Sequence, residues 1–165
     1  KFPRPDNFGM TLYSRHPFVS HEIRFIEGVQ VPLVHAVIDL GGHELEVIGC
    51  HPVPPMGARQ ASARNDYLAG LTEITTTSTL PAVILGDFNA TVWSPHLREF
   101  IKTTSLMDSG RKRGFQPTWR WFNPFFSIPI DHVFHNAALS CTNRQIGPAL
   151  GSDHRPVITE FALTP

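Results

Sequence analysis

The stretch VILGDFNATVWSP, residues 83–95, ends an apolar run on Asp87 and Asn89. In an extended strand, residues i and i+2 project to the same side. A carboxylate that can serve as base or metal ligand then stands beside a carboxamide that both donates and accepts. At a strand end, such a pair can hold a metal-bound water and a phosphate oxygen. The competing reading is an Asx turn leading from strand to loop, and GDFN alone does not separate the two.

Three further groups have similar potential. In GSDHRPV (151–157), Asp153 and His154 are adjacent and precede an apolar strand. A carboxylate beside an imidazole suits metal-assisted hydrolysis, one holding the cation and the other handling a proton or a phosphate. The same stretch also reads as a charged turn. In PIDHVF (129–134), Asp131 lies within an apolar strand, on the opposite face from Ile130 and His132. A lone buried carboxylate is costly unless paired, and a nearby histidine would pair it and be oriented by it. His132 reads as structural. In GCHPVPP (49–55), His51 ends a strand and the following prolines stiffen the loop, so that the imidazole stands at a sheet rim or in an exposed turn.

Other chemistry-bearing residues give less. His16, His21, His35, His43, His96 and His135 have no nameable partner and are assigned to surface or core. The run Arg111-Lys112-Arg113 reads as a solvated loop, with contact to substrate phosphate the alternative. In TWRWFNPFF (118–126), part must be core; the rest would wall a cleft or face lipid. Cys50 and Cys141 form no metal pattern, and both burial and a single disulfide stay open.

These groups need a scaffold. Frequent proline (15) and glycine (12) favour short strands and loops over long helices. Strands are expected at 10–15, 19–26, 31–40 and 43–51, the last two joined by a hairpin at Gly41-Gly42. Residues 58–78 carry Ala61, Tyr67, Leu68, Leu71 and Ile74 at roughly helical spacing. Residues 82–89 read as a buried strand. Ser94 followed by Pro95 opens a second helix. Strands follow at 117–122, 128–135, 138–147 and 155–163. That order is mixed α/β (α+β), with antiparallel strand pairs and helices packed outside, in a single domain over residues 1–165.

The bulk composition is permissive. The chain has 165 residues, 41% of them hydrophobic, enough for a real core. Lys+Arg and Asp+Glu balance at 14 each. No global positive field exists to gather nucleic acid or anionic membranes, which argues against a DNA-coating protein but not against a local phosphate site. No apolar stretch reaches the ~18 residues of a membrane span.

Taken together, a strand-end histidine, GDFNA, IDH and GSDHRPV in this order resemble the endonuclease/exonuclease/phosphatase superfamily, metal-dependent phosphoesterases similar to pancreatic deoxyribonuclease and abasic-site endonucleases. The likeness runs from FGMTLYSRHPF to the last strand. HPVPP, ARND, TVWSP and PIDHVF look most like bacterial membrane-anchored members. The resemblance implies a four-layer α/β/β/α sandwich of two mixed sheets with outer helices, and divalent-metal-dependent hydrolysis of a phosphodiester or phosphomonoester by direct water attack. It implies roles as well. His154 would contact the scissile phosphate, oriented by Asp131. Asp87 would activate or position water, or serve the leaving group. Asn89 would hold that water or a phosphate oxygen, and His51 would be a second phosphate-facing histidine. Asp153, with Asp87 and Asn89, would take part in an Mg2+ or Mn2+ site, a hard cation suited to oxygen ligands.

One departure matters. Family members carry an Asn on a first strand and a metal-binding Glu in a second motif, both upstream of the region that GMTLYSR resembles; Glu22 and Glu27 come after it and are not promoted. The expectation is an N-terminally truncated domain lacking its first strands, weakly active or inactive by itself, with an exposed sheet edge open to self-association. A non-catalytic binding or scaffold domain that keeps the fold is the alternative. The expected substrate is a phosphate ester: nucleic acid, phospholipid head group or small phosphoester. Neutral charge and the aromatic stretch tilt this towards the smaller or membrane-proximal choices, with the complete protein membrane-associated through upstream segments and this chain soluble.

Overall fold

The computed structural model describes residues 1–120 and 126–164. Its strands are β1 (Phe18–Phe25), β2 (Pro32–Asp39), β3 (Glu44–Cys50), β4 (Ala82–Asp87), β5 (Met107–Asp108), β6 (Trp119–Arg120), β7 (Ser127–Ile128), β8 (Asp131–His135), β9 (Leu139–Ile146) and β10 (Val157–Leu163). Two helices, α1 (Ala58–Thr76) and α2 (Pro95–Thr104), complete it. The main sheet has the order β1-β2-β3-β4-β8-β5, and β9 with β10 and β6 with β7 form two-stranded sheets.

The β2–β3 hairpin closes as Gly41-Gly42 requires: both glycines have positive φ (85° and 100°), and Asp39 Oδ1 accepts from their N–H groups. From β3 the chain crosses through α1 and returns in β4, parallel to β3, as a crossover helix allows. Tyr67, Leu68 and Leu71 of α1 and Leu97 and Phe100 of α2 are buried with Ile48, Cys50, Ile84 and Phe134 of the sheet. The alternate residues Val83 and Val133, with Leu85, pack against Leu139, Val157 and Phe161 of the β9–β10 ribbon. Strand alternation thus splits β4 and β8 between two cores. Both helices lie on one face of the main sheet, and the ribbon covers the other. The result is a mixed α+β fold.

Several boundaries differ from expectation. The strand expected over 10–15 reduces to a bridge between Met10 and Phe2, after which Ser14 Oγ accepts from His16 N–H and turns the chain. The run 128–135 breaks at Pro129, which has no N–H for a ladder, so Ile128 belongs to β7 and Asp131 opens β8. The strand expected at 117–122 is Trp119–Arg120, and 121–125 of it and of the aromatic stretch fall outside the described residues. β5 has two residues, too few to leave a pattern. Cys50 is buried and Cys141 half-buried, and both are free thiols. Among the described residues, no helix is long and apolar enough to cross a membrane.

Candidate active site

The site lies at one rim of the main sheet, at the C-terminal ends of parallel β3 and β4 and the N-terminal end of β8. Asp87 and Asp131 are directly opposed across the β4–β8 ladder, so both carboxylates project from the same face. Two like charges side by side are unfavourable, and the surroundings answer that. His154 Nδ1 lies 2.9 Å from Asp131 Oδ2. His154 Nε2 and His51 Nε2 stand 3.8 and 3.7 Å from Asp87 Oδ2. The cleft over Asp87, Asp131 and His154 measures about 400 Å³ and is lined also by Leu150, Ser152 and Arg155.

Local backbone sets these positions. Gly86 has φ 148°, and a Cβ there would lie 1.8 Å from the carbonyl oxygen of Cys50. Only glycine lets β4 run this close to β3 at its last pair, which brings Asp87 level with the residue after Cys50. Asn89 then takes a left-handed conformation, φ 47°, which Asn tolerates better than most residues. Its N–H donates to Asp87 Oδ1 at 2.8 Å, and its side-chain amide donates to Pro52 O at 2.9 Å. GDFN is therefore both things its sequence allowed: an Asx turn and a strand end that delivers a carboxylate. The turn ties the β4 loop to the loop holding His51, whose ring packs against Phe8 at 5.2 Å.

Burial is the main reason the Asp87 carboxyl is pushed up to about 6; Asp131's charge adds to it, and the Asn89 N–H opposes it. The hydrogen bond that His154 donates to Asp131 raises the pKa of His154. Burial lowers that of His51, helped by the charge of His154. Near neutral pH the cleft pairs an imidazolium-prone His154 with a carboxylate poised to take a proton, the separation of pKa values that acid–base catalysis uses.

The five residues expected to carry catalysis, His51, Asp87, Asn89, Asp131 and His154, all lie at this rim. The expected metal trio of Asp87, Asn89 and Asp153 is less compact. Ligand atoms of Asp87, Asp131 and His154 lie within 4.8 Å of one another, and Asp153 stands outside that group. Its carboxylate Oδ2 accepts from the Trp119 indole at 2.9 Å, which holds its pKa low. Residue types alone did not reveal the bracing groups. Thr118 Oγ1 accepts from the Ile130 and Asp131 N–H groups, and Ser152 Oγ from that of His154. Arg64, in the ARND stretch, donates to Asn89 O. Thr118 and Arg64 act through contacts between distant segments that no local pattern marks, while the Ser152 contact is a local turn of the kind serine favours.

Opposed carboxylates, one relayed to an imidazole and one with a raised pKa, in an open cleft of a mixed sheet, form an acid–base site of the kind hydrolases use. The sequence matches the endonuclease/exonuclease/phosphatase family over residues 1–154, and the chain belongs to that family. Solved structures agree in fold. An endonuclease/exonuclease/phosphatase from Beutenbergia cavernae superposes with a TM-score of 0.74 at 22% identity, over 91% of this chain and 46% of its own. A 3′ phosphatase from Neisseria, bound to a product DNA hairpin, gives 0.68 at 17% over 90% and 73%. A mannosyl-6-phosphatase from Bacteroides thetaiotaomicron gives 0.62 at 20% over 89% and 67%. The chain thus spans about half the length of the first of these. No match is found among curated proteins.

Proposed function

We propose that this domain hydrolyses a phosphate ester by direct attack of water, with the cleft over Asp87 and His154 as its active site. One observation carries the reading: the His154–Asp131 pair at 2.9 Å turns its free ring nitrogen towards Asp87, 3.8 Å away, inside an open cleft. Phosphodiesters and monoesters repel anionic nucleophiles, so the site must supply both positive charge and a base. His154, held in orientation by Asp131, donates to a non-bridging phosphate oxygen and stabilises the charge that grows there. Asp87 takes the proton of the attacking water as the new P–O bond forms and the P–O bond to the leaving oxygen breaks, that oxygen keeping the bonding pair and taking a proton from solvent to leave as the alcohol. His51, kept neutral by burial, offers a second hydrogen bond to the phosphate. Asn89 holds the Asp87 loop against Pro52 and keeps that base in place.

A hard divalent cation, Mg2+ or Mn2+, fits this chemistry. The half-buried Asp87 carboxyl, raised by burial and by the neighbouring charge of Asp131, marks a place where positive charge would be welcome. Of the expected trio, Asp87 and the side-chain oxygen of Asn89 would hold the ion at this rim, whereas the Asp153 carboxylate is engaged by the Trp119 indole. When bound, the ion would neutralise phosphate charge. The relatives named above include a 3′ phosphatase and a mannosyl-6-phosphatase, which supports a phosphoester substrate without choosing between nucleic acid and smaller esters.

The test is hydrolysis of bis(p-nitrophenyl) phosphate and p-nitrophenyl phosphate with Mg2+ or Mn2+. Turnover, weak for this chain by itself, that His154→Ala removes in a protein that stays folded is the expected result. No turnover of either substrate, or of an oligonucleotide panel, would leave a binding or scaffold domain as the correct reading.

A further inference from the structure

Among the described residues, the most solvent-open large apolar side chains gather at one end of the sheet. Met56 is 81% exposed, Leu150 74%, Phe126 69%, Phe115 62% and Trp93 61%. Each lies on a loop that emerges at the rim holding the active site. Met56 follows His51 after β3, and Trp93 follows Asn89 after β4. Phe115 is on the loop leaving β5, Phe126 on the approach to β7 and β8, and Leu150 on the loop that carries His154. The one comparably open ring elsewhere, Tyr13, lies under the ammonium of Lys1. At the opposite end, Val19 and Phe18 at the start of β1, Leu40 of the β2–β3 turn and Leu163 at the end of β10 are less open, none above 54%. Scattered exposed apolar residues are normal, but a set gathered on the loops of one rim, with Leu150 lining the cleft itself, marks an interaction surface.

Two further features narrow the partner. Trp93 and Phe115 stack on each other, with centroids 6.3 Å apart and planes 23° apart, over a cavity of about 240 Å³ floored by Asp108, His132 and Arg144. The charge on the same loops is of one dominant sign. Arg111, Lys112, Arg120 and Arg155 are exposed, while the exposed acid beside them, Asp153, is engaged by the Trp119 indole. Aromatic and aliphatic tips backed by Arg and Lys form the composition that binds an anionic membrane interface. A surface for nucleic-acid bases stacks them on aromatic faces along a basic groove, and Met56 and Leu150, the two most exposed of the five, offer no ring.

We infer that this rim is a lipid-facing surface that docks the domain on an anionic phospholipid bilayer, with the cleft over Asp87 and His154 turned towards the head groups. Phosphate esters carried at such a surface would then be the substrates within reach. That consequence rests on the phosphoesterase reading; the docking does not.

Sedimentation of the protein with vesicles tests it, using phosphatidylcholine alone and phosphatidylcholine mixed with phosphatidylglycerol. The protein should sediment with the mixed vesicles, and added salt should weaken the binding. Trp93→Ala with Phe115→Ala should lower partitioning about tenfold, and Met56→Glu should lower it independently. Arg111→Glu with Lys112→Glu should lower it at least fivefold on anionic vesicles only. All these positions are exposed, so hydrolysis of soluble bis(p-nitrophenyl) phosphate should be unchanged. Protein that stays in the supernatant with both vesicle types would overturn the inference. So would variants that partition like wild type, or Trp93-dependent binding of single-stranded DNA without vesicle binding. Vesicle binding without any hydrolysis would sustain the docking and overturn the phosphoesterase reading; hydrolysis without vesicle binding would do the reverse.

Discussion

Strand β8 carries two Asp–His pairs back to back. Asp131 faces the open cleft and pairs with His154 at 2.9 Å, and the next residue, His132, faces the helix side and pairs with Asp108 at 3.5 Å. The chemistry is the same, yet the environments differ. Both ring nitrogens of His132 are engaged, Nδ1 with Asp108 and Nε2 with Ala90 O, while the ring stacks on Phe134 and meets Phe88 edge-on. His154 spends one nitrogen on Asp131 and presents the other to a cavity shared with Asp87. An Asp–His pair holds a fold together when both nitrogens are used up inside it. It can do chemistry when one nitrogen still points at space.

The sharpest way to break this comparison is to truncate each histidine. His154→Ala should lower kcat by on the order of 10²–10⁴-fold with a melting temperature near wild type. His132→Ala should leave kcat of the folded protein near wild type and cost about 2–4 kcal/mol of stability, because it opens a cavity under Phe88 and Phe134 and strands Asp108. Steady-state kinetics and denaturant unfolding on both variants give the answer; matching losses from the two would dissolve the distinction.

The carboxylates give the next effect. Asp131→Asn should reduce kcat by about 10²-fold or more, since it removes the acceptor that orients and charges His154. It should also move the alkaline limb of the pH–rate profile to lower pH, which a purely structural loss would not. Asp108→Asn should instead weaken the fold. Burial by itself pushes Asp108 up, but the hydrogen bond and charge of His132, the Gly110 N–H and Arg144 together hold it below its ordinary value. Its contribution is therefore present above pH 3.8 and lost as pH falls through the depressed folded value. The variant should flatten that acid limb in urea titrations.

The pH profile itself should be bell-shaped. Asp87 loses its proton near pH 6, and His154, raised from 6.5 chiefly by the Asp131 hydrogen bond, loses its own at a higher pH. Activity should rise at or below about 6, since a cation held by Asp87 lowers its value, and fall above 6.5. Stability runs differently. A carboxyl raised in the folded state favours folding while protonated, so Asp87 subtracts stability as pH rises from 3.8 through about 6. His154 contributes below 6.5 and loses that contribution as pH rises through its raised folded value. The smallest effect follows: Asp87→Asn should be inactive yet more stable by about 1 kcal/mol at pH 8, with no gain at pH 4, by thermal melts.

Much of this was readable in advance where the signal is local. Alternation along AVILGD and DHVFH places Asp87 and Asp131 on defined faces, and it already separates Asp131 from His132. Ser94-Pro95 starts α2, and the paired glycines close the β2–β3 hairpin. Failures came where the fold overrides local pattern. MTLYSR has strand composition but finds a partner only through Met10. The Glu22–His35–Glu46 contacts across β1, β2 and β3 leave no local signal, because the three residues lie far apart in the chain. Asp153 has the residue type of a metal ligand, and its carboxylate turned to Trp119, a contact no spacing rule contains.

Which residues could carry chemistry, the strand ends that present them and the mixed α+β class follow from local sequence, because strand alternation, turn glycines and apolar runs are written within a few residues. Which histidine faces which carboxylate, and how close they stand, follows from the fold. Those distances depend on strand order and register: β4 lies between β3 and β8, Gly86 admits the close approach of Cys50, and the β10 loop folds back to set His154 on Asp131. Such contacts between distant segments follow from the packing of the whole sheet, to which no short stretch of sequence has access.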